Sequence, residues 1–164
     1  MQEKKFIYKA KQHLDEAGYA PYGKPEKNTG YANNMLKRVK TLKNMEIRAG
    51  KTITVTEIND DPSYKGAHLG NGKIALSKNN NYTFKSNMTL YLTLYHESLH
   101  VVYDFSPAMS IYLRSSYNDT NKAGTLAEWE HYLIFKEMNS ILVNGTGTFG
   151  IGEGLNPLKR LFRQ

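Results

Sequence analysis

The chain has 164 residues, 40% of them hydrophobic, no cysteine and a formal net charge of +7. That length suits one domain, and the lack of cysteine excludes disulfides and thiolate metal sites, so a transition metal would have to sit on His, Asp or Glu. No apolar run reaches the roughly 20 residues of a membrane span, and the opening MQEKKFIYKAKQHLDEAGYA is too polar for a secretory signal. The charge is uneven: residues 1–51 carry 12 Lys/Arg against 5 Asp/Glu, whereas residues 52–164 carry 10 of each. A nucleic-acid enzyme spreads positive charge around its site. Here the neutral part of the chain holds the residues with chemistry, so nucleic acid is not the expected partner.

Residues 1–32 alternate charged pieces with Gly and Pro and read as a linker or lead-in with a short helix near Phe6 to Ala17; residues 33–164 read as the domain proper. YANNMLKRVKTLKNMEIRAG places Met35, Val39, Leu42 and Met45 at helical spacing, with Gly50 as a stop. KTITVTEI alternates β-branched residues and predicts a strand, NDDPSYKGAHLGNG reads as turn, and GKIALSK predicts a second strand. Ser86 or Asn87 is placed to cap a helix running from about Thr89 to Asp104, ending before Pro107. SPAMSIYLRSSYNDTNKAG reads as one short helix and a loop, and TLAEWEHYLIFKEMNSILV as a long helix ending at Asn144–Gly145. The tail GTGTFGIGEGLNP reads as an irregular flap or surface segment, and LKRLFRQ as a closing helical turn. The expected fold class is α+β.

The stretch LYHESLHVVYD carries the chemistry. At 100° per residue, Thr93, His96, Glu97, His100 and Asp104 share one arc of about 100°, and apolar residues fill nearly all the rest. A buried helix with one polar stripe needs partners for that stripe. Two histidines four residues apart can present nitrogens to one Zn²⁺ at about 2.0–2.1 Å. The glutamate beside the first of them then leans towards a water, as general base and later general acid. This is the HExxH pattern.

A catalytic zinc takes a third protein donor, and AEWEHY offers Glu128, Glu130 and His131. Glu130 falls inside the apolar face of Leu126, Ala127, Leu133, Ile134, Met138 and Ile141, where an acid is costly unless it is paired or binds a metal. Glu128 falls on the polar face with Asn139 and is the fallback, and His131 lies nearer a boundary. Asp104 continues the four-residue spacing, but three such ligands would spread over about 12 Å of helix. That leaves Asp104 as a group behind the ligands, fixing an imidazole tautomer, or as part of the helix end. Tyr112, Tyr117 and His131 are candidates for steadying a tetrahedral oxyanion. Glu137 reads as a group behind the ligands or as an exposed one, Trp129 as core, and His13 and His68 as loop or surface histidines without a partner ligand. The expected cofactor is one Zn²⁺ per chain, and the expected partner is a protein or peptide substrate.

With HESLH on one helix and Glu130 thirty residues beyond His100 on another, residues 33–142 resemble the gluzincins, and by size and order the minigluzincins. The resemblance implies a zincin-like fold: a backing helix, a small mixed sheet with an edge strand, the HExxH helix and a glutamate helix. It implies His96, His100 and Glu130 as zinc ligands, Glu97 as general base and acid, and GNGKIALSK as the edge strand that pairs with substrate. One position departs from the thermolysin pattern: Ile134 stands where that pattern carries an acid. The small, basic, Asn- and Gly-rich chain also resembles C-terminal metallopeptidase toxin domains of bacterial polymorphic toxins, including Rhs-type effectors. That resemblance would make the chain part of a larger exported protein and would add a cognate immunity protein as partner. Two rival readings use the same residues: a catalytically silent zincin-like binding domain, and a zinc amidase acting on cell-wall material.

Overall fold

The computed structural model describes residues 8–119 and 124–143. Among these, β1 (Thr54–Asn59), β2 (Gly66–Gly70) and β3 (Lys73–Ser77) form one sheet in the order β1-β3-β2. β1 runs parallel to β3, and β2 runs antiparallel to it. The stretch read as turn therefore contains a strand, and GNGKIALSK is the central strand and not the edge. The reason lies in Asn71 and Gly72, which both take left-handed backbone angles (φ 54° and 76°). Two such residues make the tight hairpin turn whose twist matches the flanking strands, so the chain folds straight back and pairs Ala67 with Ala75. Position 72 also has no room for a side chain, because a Cβ there would lie 2.0 Å from the Thr52 carbonyl oxygen.

The outer edge of β1 is occupied at Val55. The Asn33 amide accepts from the Val55 N–H (2.8 Å) and donates to its carbonyl (2.9 Å), as a neighbouring strand would. Asn33 belongs to α2 (Thr29–Arg38), and α3 (Lys40–Ala49) follows after a break at Val39. The single helix expected here is thus two. Val39 is extended (φ −79°, ψ 120°) and fully buried. The apolar spacing through Met35, Val39, Leu42 and Met45 survives the break, but the change of direction sends α2 onto β1 and α3 onto the histidine helix.

Residues 8–32, read as a lead-in, are built into the core. Ala10 and Leu14 of α1 (Tyr8–Glu16) are fully buried, and Tyr19 nearly so. The carbonyls of Pro21 and Gly23 accept the N–H groups of Met88 and Asn87 (2.8 Å each), and the Asn87 side chain bonds Ala20 and Tyr31. These bonds satisfy donors that a helix start leaves without internal partners. The helix they serve is α4 (Asn87–Phe105), capped as expected by Ser86 in a reciprocal box with Thr89. Leu90, Leu94, Leu99, Val101 and Val102 of α4 are fully buried, so α4 is the axis of the fold.

A full helix, α5 (Pro107–Asp119), follows in place of the expected short helix and loop. Proline at its first position gives up no intrahelical bond. The last described helix, α6 (Leu126–Val143), crosses α4 and also packs on α1 and α5. Six helices and the three-stranded mixed sheet among the described residues make an α+β fold. No described helix is long and apolar enough to cross a membrane. The expected flap and closing helical turn lie outside the described residues.

Candidate metal centre

The polar stripe of α4 opens onto a cleft of about 370 Å³, walled by residues 66–68 of β2, by His96, Glu97, His100 and Asp104, and by His131 of α6. His96 and His100 sit one helical turn apart, and their Nε2 atoms are 3.2 Å from each other. From α6, His131 stacks on His96 with ring centroids 5.4 Å apart and planes at 24°. One nitrogen of each of these three imidazoles lies within 4.8 Å of the others. Three histidines are therefore close enough to hold a metal ion.

Two of the three rings have a partner at Nδ1. The Nδ1 of His131 faces the Ala127 carbonyl of its own helix at 3.1 Å. The Nδ1 of His100 bonds the Glu130 carboxylate in a very short contact. Burial holds His96 well below the ordinary imidazole range, with His100 and His131 adding to the effect. Burial also lowers His131. His100 goes the other way: burial pulls it down, but the Glu130 bond and the charges of Glu97, Glu130 and Asp104 outweigh that and raise it.

Glu97 is 6% exposed, and its carboxylate stands 3.9 Å from His96 Nε2. Burial pushes this carboxyl up to about 7, against the opposing pull of His100 and the His68 N–H. A cation held by the imidazoles would bring it back down. The strand β2 comes this near because residue 66 is glycine. A Cβ there would lie 3.2 Å from Glu97 Cγ and from Thr93 Cγ2, tighter than ordinary side-chain contact.

No family model, curated protein or solved structure matches this chain.

The remaining sequence candidates find other partners. Asp104 receives His68 Nδ1 at 3.1 Å, while the Gly72 N–H donates to His68 Nε2 at 3.1 Å. The imidazole that Asp104 meets is that of His68 on β2, which is not one of the three clustered histidines. Glu128 closes the start of α6: its N–H donates to the Thr125 hydroxyl (3.1 Å), and its carboxylate accepts from the Thr125 N–H (3.2 Å). Tyr117 donates to the Gly124 carbonyl at 2.7 Å, Tyr112 is exposed, and neither lines the cleft. Trp129 is buried, bonds Ser116 and stacks on Tyr132, as a core residue does. Glu137 is neither behind the ligands nor free: it takes both nitrogens of Arg48, at 2.7 and 3.0 Å.

Sequence reasoning missed Gly66 and His68 as cleft residues. The signal was present in Asn71–Gly72, whose preference for the hairpin turn makes the preceding AHL a strand.

Proposed function

We propose that the protein is a zinc-dependent metallopeptidase in which His96 and His100 hold the ion with a third donor from α6. Glu97 is its general base and acid. The observation that carries this reading is the meeting of three parts in one cleft: a cluster of imidazole nitrogens, a buried carboxylate beside it, and an open sheet edge above it. The donor set suits the metal, since zinc takes imidazole nitrogen readily and needs no thiolate. Bound there, zinc supplies Lewis acidity towards a carbonyl and lowers the pKa of water. Glu97 would take a proton from the water whose oxygen adds to the carbonyl carbon, and would pass it to the amine that leaves as the C–N bond breaks.

The sheet edge favours an extended chain as substrate. Just before β2 the Lys65 carbonyl accepts from the Ser77 N–H at 3.1 Å, so odd-numbered residues at the start of β2 face β3. By the alternation of antiparallel pairing, the backbone groups of Gly66 and His68 face outward; the His68 N–H meets the Glu97 carboxylate, which leaves both groups of Gly66 and the His68 carbonyl to an incoming strand. An extended peptide can add there as a further strand, beside Glu97. β3 is interior and β1 is met by Asn33, which leaves β2 as the edge bordering the cleft. A backbone edge of this kind recognises a polypeptide better than it recognises a glycan-linked amide.

The test uses the zinc-loaded chain with unfolded casein, and mass spectrometry of the fragments. Glu97→Gln should cut cleavage by about 10²- to 10⁴-fold while zinc stays bound. Absence of cleavage by the zinc-loaded protein, or equal cleavage by Glu97→Gln, would sink the peptidase reading.

A further inference from the structure

Resting on that metal-centre reading, we infer that the third protein donor is His131, and that Glu130 is a positioning residue acting on the metal through His100. The two are neighbours on α6, so their side chains leave the helix about 100° apart and cannot both reach one point in the same way. His131 lines the cleft and Glu130 does not. A ligand at about 2.0–2.1 Å from zinc sits about 3.3–3.4 Å from its fellow donors in a tetrahedral site. His96 and His100 already meet that spacing at 3.2 Å, and His131 completes the only group of three His or acidic side chains among the described residues that could hold an ion.

The hydrogen bonds around the cluster agree with this assignment. A carbonyl only accepts, so the 3.1 Å contact to Ala127 puts the proton of His131 on Nδ1 and leaves a lone pair on Nε2. Glu130 does the same for His100. Its carboxylate takes the Nδ1 side, and the Nε2 side is the one that faces His96. A carboxylate on the far nitrogen of a ligand imidazole fixes ring orientation and raises its basicity. Glu130 in that place leaves the ion to nitrogen donors alone.

The experiment measures zinc affinity by chelator competition, together with the visible absorption of the Co²⁺-loaded protein, for the full chain and for His131→Ala, Glu130→Gln and Glu130→Ala. Circular dichroism of each metal-free variant controls for folding. Glu130→Gln should keep one zinc, weakened about 10- to 100-fold, with the cobalt bands in place. Glu130→Ala, which can no longer accept from His100, should weaken further and keep the same band pattern. His131→Ala should lose zinc at chelator strengths the wild type withstands and should change the cobalt spectrum. Retained zinc in His131→Ala with loss in Glu130→Gln would overturn the assignment and make Glu130 the ligand, and retention in both would remove both residues from the coordination shell. Failure of the wild type to bind zinc at all is a separate result and overturns the metal-centre reading itself.

Discussion

Glu130 and Glu137 lie seven residues apart on the same face of α6, and both reach across to a partner that α4 or its neighbours supply. Glu137 meets a guanidinium and a phenol: Arg48 in a two-pronged pair, and the Tyr95 hydroxyl at 2.8 Å. Glu130 meets an imidazole, His100. The Glu137 bond raises Arg48 still further above its already high range, so that guanidinium keeps its charge at any pH the protein survives. An imidazole can give up its charge and offer a lone pair instead. The first acid fastens α3, α4 and α6 together, and the second adjusts a group that borders an open cleft. An acid on an apolar helix face is therefore no site signal by itself. Its partner decides.

The contrast predicts opposite costs at its two ends. His96→Ala should release zinc and lower peptidase activity by about 10³-fold or more, about 4 kcal/mol in transition-state terms. The melting temperature of the metal-free protein should stay close to that of wild type. Elemental analysis beside a thermal melt checks both halves. Glu137→Ala should do the reverse. Losing charge-assisted bonds at a half-buried node costs about 2 kcal/mol, or about 4–8 °C for a domain of this size, with zinc affinity within about twofold of wild type. The comparison breaks if Glu137→Ala releases the metal. The smallest effect belongs to the start of α6. Thr125→Ala removes a capping hydroxyl and should cost about 1 kcal/mol in a denaturant melt, without moving the cobalt spectrum.

The histidine helix and its cap were legible in the sequence because they rest on local rules. Four-residue spacing puts His96 and His100 on one side of any helix, and Ser86 with Thr89 forms a cap wherever a helix starts there. The structure departs from the sequence pattern where a helix end or a distant part of the chain decides. Thr125 to Glu128 is a capping box, and Glu128 read as a spare ligand because its helix face was weighed without its helix end. Asn139 reads as solvent-facing on a helical wheel, yet it is 3% exposed, because α6 is covered by α1 as well as by α4 and α5. That cover comes from the segment taken for a lead-in, where Ala10 and Leu14 stand four residues apart on one helix face but among mostly charged and polar neighbours. Glycines misled most: GAHLGNG looks like a loop by composition, while the geometry of two of its residues makes a hairpin and the absence of a side chain at Gly66 makes a contact.

The amide of Asn33 bears on how this protein behaves in a crowded tube. Fibrils built by strand addition grow because each newcomer leaves a fresh edge for the next. In this sheet one side is met at Val55 by a side chain of the same polypeptide. Association through β2 would bring two sheets together and then meet an asparagine at either far side. Growth of threads through β1 is therefore blocked at Val55, and replacing Asn33 with alanine should raise the thioflavin signal of concentrated samples.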